Sequence, residues 1–139
     1  GVDGFAGARA LNDFLSRTRI LICMLPLTPQ TEGILSRQTF DRLPAGAYVI
    51  NVARGAHLIE DDLLAALDAG QLSGACLDVF ETEPLPADHP FWDHPKIKVT
   101  PHISSITFPR AVAPQIIDNY RRCQYGQPLL NVVDPSRGY

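Results

Sequence analysis

The segment "INVARGAHLIEDDLL" (residues 50–64) begins as a buried β-strand and ends as an amphipathic helix. Apolar residues precede Arg54 and Gly55, and three acids then open a run with helical spacing. A strand that leads through a short turn into a helix is the repeating unit of a parallel sheet. Arg54 stands where that strand ends, and it is either a solvated loop residue or an anion clamp for a substrate carboxylate.

The alternation of strand and helix extends along the chain on both sides of this segment. Short apolar runs typical of strands covered on both faces occur at 19–25, 47–53, 74–80 and 96–101. Segments with helical periodicity or capping signals occur at 7–17, 36–43, 59–70 and 109–126. The pattern predicts an α/β fold, a doubly wound parallel sheet with helices on both faces.

Composition narrows the class of protein. The chain has 139 residues, 45% of them hydrophobic and 19% charged, which suits one globular domain with a core. A formal net charge of −3 without a basic run disfavours nucleic-acid binding. The longest apolar run, Ile20–Pro26, is too short to span a membrane. Three widely separated cysteines fit neither a disulfide framework nor a zinc site, so we expect a cytoplasmic protein without a metal.

Three polar residues follow or end successive predicted strands. Arg54 follows the second strand, Asp78 lies near the end of the third, and His102 follows the fourth. In such sheets ligands bind beyond the carboxyl ends of the strands, so these residues should converge. A histidine exchanges protons near neutral pH, and a carboxylate on its other ring nitrogen favours the protonated form. With an arginine that holds a carboxylate, this chemistry suits reduction of a 2-keto acid by a hydride donor.

Four ordered blocks resemble the D-isomer-specific 2-hydroxyacid dehydrogenases. The blocks are "LPLTPQTEGIL" (25–35), "NVARG" (51–55), "GACLDVFETEPLP" (74–86) and "VTPHISS" (99–105). Three details are nearest the glyoxylate/hydroxypyruvate reductase branch of that family: "ARGAHLIEDDLLAALDAG" (53–70), "EPLPADHPFW" (83–92) and the terminal "RGY" (137–139). The resemblance covers nearly the whole chain, and it implies a Rossmann-like cofactor domain.

The resemblance also implies roles for individual residues. The substrate clamp falls on Arg54, the acid/base on His102 and its carboxylate partner on Glu83, with Glu81 the assignment to guard against. Asp78 matches a contact to the nicotinamide carboxamide. Two alternatives stay open, because Asp78 could cap local backbone groups and Glu83 could be a solvated loop residue.

The cofactor implied by the resemblance is NADP or NAD, with a leaning towards NADP. Its expected contacts are Leu25, Pro26, Leu27, Val52, Ala53 and Asp78, with Thr31 and Ser104 as weaker candidates. The family's domain begins with a strand and a G-x-G-x-x-G turn, which this sequence does not contain. We therefore expect residues 1–105 to be the later half of a Rossmann-like domain, and 106–139 a C-terminal helix and return segment.

The function expected from the resemblance is hydride transfer between NAD(P)H and a small 2-keto acid such as glyoxylate or hydroxypyruvate, giving the 2-hydroxy acid. We expect a homodimer, and we expect the 139-residue chain alone to be inactive. An alternative is a nicotinamide-sensing co-repressor, a binding module of the same family. A purely structural paralogue is disfavoured because Arg54, Glu83 and His102 are all present.

Overall fold

Four parallel strands form one sheet, which confirms the predicted α/β fold. The strands are β1 (Ile20–Cys23), β2 (Ala47–Asn51), β3 (Leu72–Leu77) and β4 (Ile97–Val99), and they lie side by side in that order. Val49 of β2 pairs with Leu21 of β1 and with Ala75 of β3, so β2 lies inside the sheet. The carboxyl ends of all four strands therefore meet at one edge of the sheet.

Helices precede β1, separate β1 from β2 and β2 from β3, and follow β4, whereas a loop joins β3 to β4, as the sequence predicts. The helices are α1 (Ala8–Ser16), α2 (Arg37–Phe40), α3 (Glu60–Asp68) and α4 (Pro109–Gln124), with a 3-10 turn at Gly55–His57. Three acids occupy the first turn of α3, where they complement the positive end of the helix dipole. Gly70, at φ 76°, follows the end of α3 in a left-handed conformation that glycine adopts without strain.

All four predicted strands end two or three residues early, at Cys23, Asn51, Leu77 and Val99. The run at 19–25 leaves the ladder after Cys23, and Met24 and Leu25 are exposed at the edge of the sheet. The run at 47–53 ends at Asn51, whose Oδ1 accepts the Ala53 N–H at 3.1 Å. A side chain that captures a nearby backbone N–H competes with the ladder, so the chain turns there.

A hydrophobic core lies between the sheet and the helices that pack against it. Its fully buried members come from α1, α2, β2, α3, β3 and the loop before β4, and they include Leu15, Phe40, Val49, Leu63, Leu67, Leu72, Leu77 and Phe91. Strand β1 is less covered, since Ile20 and Ile22 are 61% and 52% exposed. The carboxyl ends of the inner strands, β2 and β3, are therefore more firmly fixed than that of β1.

The computed structural model describes residues 1–105 and 107–136, so "RGY" lies outside the described residues. The chain forms two compact units, Gly1–His102 and Ile103–Tyr139, and the sheet belongs to the first. In the second unit the tail is tied to α4, because the Asn119 side chain bonds both the N–H and the carbonyl of Leu130.

Within the described ranges, no helix combines the length and apolar character needed to cross a membrane.

Candidate active site

The turn after β2 presents Arg54 at the edge of the sheet. Asn51, fully buried at the end of β2, donates from Nδ2 to the carbonyl of Arg54 at 3.0 Å and accepts the Ala53 N–H. These two bonds hold the backbone on either side of the Arg54 Cα. The guanidinium is exposed and donates to the Ala53 carbonyl at 2.6 Å. A fixed backbone thus carries a charged group at the edge of the sheet.

Gly55 lets this turn touch the segment that follows β3. A Cβ at position 55 would lie 1.9 Å from the carbonyl carbon of Phe80 and 2.3 Å from the nitrogen of Glu81. No side chain fits at such distances from backbone atoms, so glycine is required by close approach. The contact brings the Arg54 turn to the start of the loop that carries Glu83.

Glu83 and His102 form a direct hydrogen bond. The Nδ1 atom of His102 lies 2.8 Å from Oε2 of Glu83, and the other carboxylate oxygen accepts the Phe80 N–H at 2.9 Å. Both side chains are partly exposed, 49% for His102 and 36% for Glu83. The structure brings these two predicted residues together, and Glu81 is exposed in the same loop. Their roles in catalysis stay predictions.

The contacts of Glu83 favour its charged form. The hydrogen bond from His102 lowers the pKa of this carboxyl most, and the Phe80 N–H and the charge of Arg54 lower it further. A carboxylate held in this way orients the imidazole and stabilises a positive charge on it. The contact of Gly55 with the backbone of Phe80 and Glu81 places the Arg54 turn beside the loop that carries Glu83.

His102 has a backbone conformation that a non-glycine residue seldom adopts, with φ 53°. Its N–H bonds the carbonyl of Thr100 at 3.1 Å, which tightens the chain directly after β4. Strain of this kind persists only where the surroundings fix it, and it is concentrated at functional sites. The bend sets the direction of the imidazole towards Glu83.

Asp78 is buried directly after β3. Its carboxylate accepts a hydrogen bond from the hydroxyl of Thr100, and its backbone N–H bonds the Asn51 carbonyl at 3.0 Å. These contacts join the carboxyl ends of β2, β3 and β4. The contact of Asp78 with a nicotinamide carboxamide, as implied by the resemblance, stays a prediction.

The loop after β1 contains the other predicted cofactor contacts. Leu25 and Leu27 are 43% and 41% exposed, and Thr31 donates from its hydroxyl to the Pro26 carbonyl at 2.7 Å. The Thr31 oxygen also accepts the Thr28 N–H at 2.9 Å, which orders the loop. The loop therefore presents exposed apolar side chains beyond the carboxyl end of β1, and their contact with a cofactor stays a prediction.

The remaining predicted cofactor contacts lie in different units. Val52 is partly buried and Ala53 is buried, both at the carboxyl end of β2. Ser104 belongs to the second unit, where it is exposed. The structure places Val52 and Ala53 at the edge of the sheet, and the contacts of all three residues with a cofactor stay predictions.

A cavity of about 400 Å³ adjoins the Glu83–His102 pair. Its other lining residues are Phe80, Pro84, Leu85, Trp92, Val99 and Pro101. The walls are largely apolar, so the pair borders a mainly hydrophobic surface on this side. Among the described residues, no group of three or more His, Cys, Asp or Glu side chains could hold a metal ion.

Sequence reasoning missed the residues that support the predicted site. Asn51 fixes the backbone of the Arg54 turn, and Thr100 donates a hydrogen bond to the carboxylate of Asp78. Gly55 allows the Arg54 turn to touch the backbone of Phe80. An available signal was the polar Asn51 inside an otherwise apolar strand, since buried amides need partners. Nothing in the local sequence pairs Gly55 with Phe80, because that contact joins segments 25 residues apart.

Residues 3–104 match the family model for the NAD binding domain of the D-isomer specific 2-hydroxyacid dehydrogenases. Two curated proteins named glyoxylate/hydroxypyruvate reductase A match the whole chain, one from Serratia proteamaculans at 55% identity and one from Yersinia enterocolitica at 50%. The chain spans 44% of the length of each.

Solved structures agree with these matches. A D-isomer specific 2-hydroxyacid dehydrogenase from Xanthobacter autotrophicus, in complex with NADPH and MES, is 50% identical with a TM-score of 0.92. The match covers 97% of this chain and 56% of that one. An NADPH-dependent glyoxylate/hydroxypyruvate reductase from Sinorhizobium meliloti, in complex with NADP and sulfate, is 41% identical with a TM-score of 0.89. That match covers 96% of this chain and 44% of that one.

Proposed function

The chain belongs to the D-isomer specific 2-hydroxyacid dehydrogenase family, and we propose that the natural protein containing it reduces glyoxylate or hydroxypyruvate with NADPH. The observation that carries the proposal is the 2.8 Å bond between Glu83 and His102, beside the Arg54 turn. The names of the Serratia and Yersinia relatives support the substrate class. The Xanthobacter and Sinorhizobium structures support NADPH as the cofactor.

His102 is the proton donor in this proposal. Its Nδ1–H donates to Glu83, so the proton that moves to the substrate carbonyl oxygen comes from Nε2. Glu83 is itself held by the Phe80 N–H, so the imidazole has a fixed orientation. A bound NADPH supplies the hydride to the carbonyl carbon.

Arg54 binds the substrate carboxylate in this proposal. A guanidinium has five N–H donors in a planar fork, so one bond to the Ala53 carbonyl can orient the group while other donors meet the anion. The same positive charge beside a 2-keto group polarises the carbonyl as negative charge develops on its oxygen. Arg54 and His102 then act on two adjacent carbons of one small substrate.

The cofactor would lie along the carboxyl ends of β1, β2 and β3. Leu25, Leu27 and the backbone of Val52 and Ala53 would form its wall, and Asp78 would orient the carboxamide. Thr31 keeps the β1 loop ordered through its bond to the Pro26 carbonyl.

We also propose that the protein works as a homodimer in the cytoplasm, and sedimentation of the natural protein tests the dimer.

The test is oxidation of NADPH by the natural protein in the presence of glyoxylate or hydroxypyruvate. We expect turnover, and we expect Glu83→Gln to lower kcat/KM and move the pH optimum of reduction to lower pH, because an amide does not stabilise an imidazolium. Glu81→Gln is the matched control and should change neither quantity. Binding of NADPH without turnover of either keto acid would refute the proposal and favour a nicotinamide-sensing module.

A further inference from the structure

His57 is a fully buried imidazole that the proposed mechanism does not use. Its Nδ1 atom lies 3.2 Å from the backbone nitrogen of Arg54, which donates to it, and its Nε2 atom lies 3.3 Å from the carbonyl oxygen of Pro26. One ring therefore bridges the turn after β2 and the loop after β1. His57 and Pro26 are 31 residues apart along the chain.

The two contacts identify the tautomer. Nδ1 can accept the Arg54 N–H only when it carries no proton, and Nε2 can bond the Pro26 carbonyl only when it carries one. The opposite tautomer could donate from Nδ1 to the Arg54 carbonyl at 3.1 Å. It would leave the Arg54 N–H without this acceptor and set a lone pair of Nε2 against the Pro26 oxygen. Asn51 already donates to the Arg54 carbonyl, so the Nε2–H tautomer satisfies more groups.

Backbone bonds near the ring join the same parts of the chain. The His57 carbonyl accepts the Leu35 N–H at 2.8 Å, and the Ala56 carbonyl accepts the Gly33 N–H at 2.9 Å. These bonds hold the far end of the β1 loop, whereas the His57 side chain holds its start at Pro26. The ring thus adds a link where the loop leaves the sheet.

We propose that His57 is a positioning residue that holds the substrate clamp and the cofactor wall at a fixed separation. This inference rests on the proposed function, which assigns the clamp to Arg54 and the wall to the loop at Pro26. A neutral imidazole suits the task because it is rigid, and because it offers an acceptor and a donor on opposite sides. Hydride transfer requires substrate and cofactor in near-attack geometry, so a loosened bridge reduces turnover.

Two substitutions separate the two ends of the bridge. The side-chain oxygen of His57→Asn can replace Nδ1 as acceptor for Arg54, and the longer amide of His57→Gln can replace Nε2 as donor to Pro26. We expect His57→Asn to raise KM for NADPH about tenfold with little change in KM for the keto acid. We expect His57→Gln to raise KM for the keto acid and lower kcat, each about tenfold, with little change in KM for NADPH.

His89→Asn is the matched control. His89 also accepts a backbone N–H at Nδ1, from Phe91 at 3.3 Å, and its Nε2 lies 3.1 Å from a Glu60 oxygen. Its contacts involve neither Arg54 nor Pro26, so its substitution should leave both KM values unchanged. Equal effects of the two His57 variants on both KM values, or no effect of either, would overturn the positioning role.

A second measurement does not depend on activity. Nitrogen-15 NMR of histidine-labelled wild-type protein at neutral pH should show His57 protonated on Nε2 and unprotonated on Nδ1. A proton on Nδ1 would overturn the inference even if the protein is an active reductase. Absence of keto-acid reduction in the wild type would refute the proposed function, whereas the NMR result would still decide whether the ring forms the bridge.

Discussion

The turn at 51–57 and the Glu83–His102 pair serve one site but are held in different ways. In the turn, the buried side chain of Asn51 fixes the backbone, and Gly55 lies against the backbone of Phe80. The pair is a contact between two partly exposed side chains, and the Phe80 N–H also bonds the carboxylate of Glu83. Exposed ion pairs contribute little to stability, whereas buried backbone contacts are costly to disturb.

Substitutions in the two regions should therefore have different effects. The exposed guanidinium of Arg54 stands on a buried frame, so changes to the frame should affect folding and activity together. The chemistry of Glu83 and His102 depends on side chains, so changes there should affect activity and leave the fold intact.

Gly55→Ala should have the largest effect. The added methyl group would meet the backbone of Phe80 and Glu81, and neither segment can rotate away as a side chain could. We expect a loss of about 3 kcal/mol in the free energy of unfolding, together with severe loss of turnover. Chemical denaturation and the NADPH oxidation assay measure the two effects.

The control for this substitution is Gly4→Ala, because a Cβ at position 4 meets no atom within 4 Å. Its unfolding midpoint and activity should match those of the wild type. A Gly55→Ala protein of wild-type stability would show that the turn is less constrained than its contacts indicate.

Arg54→Lys should affect activity alone. An ammonium is a point charge and cannot reproduce a two-pronged bond to a carboxylate. We expect kcat/KM to fall on the order of 10²-fold, roughly 2.7 kcal/mol, with stability unchanged because the side chain is exposed. Arg37→Lys, at another exposed arginine, should keep full activity. Near-normal turnover of a 2-keto acid by Arg54→Lys would show that Arg54 is not the substrate clamp.

The smallest expected effect is the contribution of Glu83 to acid stability. Its pKa in the folded protein lies below the ordinary 4.5, chiefly because His102 donates to it. A lowered folded pKa means that the stabilisation is fully present above about pH 4.5 and is lost as the pH falls through the folded value. The effect is small because Glu83 is 36% exposed.

Urea denaturation between pH 3 and pH 6 measures this contribution. The difference in unfolding free energy between wild type and Glu83→Gln should shrink towards the acid end, while Glu81→Gln should follow the wild type throughout. A wild-type advantage over Glu83→Gln that stays constant across the range would contradict the lowered pKa.

Much of the fold could be predicted because periodicity is a local signal. Apolar runs of strand length alternating with helical segments require a parallel sheet, and a parallel sheet brings its carboxyl ends to one edge. Arg54 and His102 each follow a strand, so their place at that edge was available from the sequence. The strand boundaries were less predictable, since the bond from Ala53 to Asn51 ended β2 inside its apolar run.

The sequence alone determined the parallel α/β order and the placement of charged residues at the ends of strands, because both depend on spacing along the chain. Only the tertiary structure decided which contacts those residues make. Glu81 and Glu83 lie in one loop, and the fold sets Glu83 against His102. Likewise, Gly55 meets Phe80 and His57 bridges to Pro26 only after distant segments pack together. Such contacts depend on distances in space, and residue spacing along a loop does not encode them.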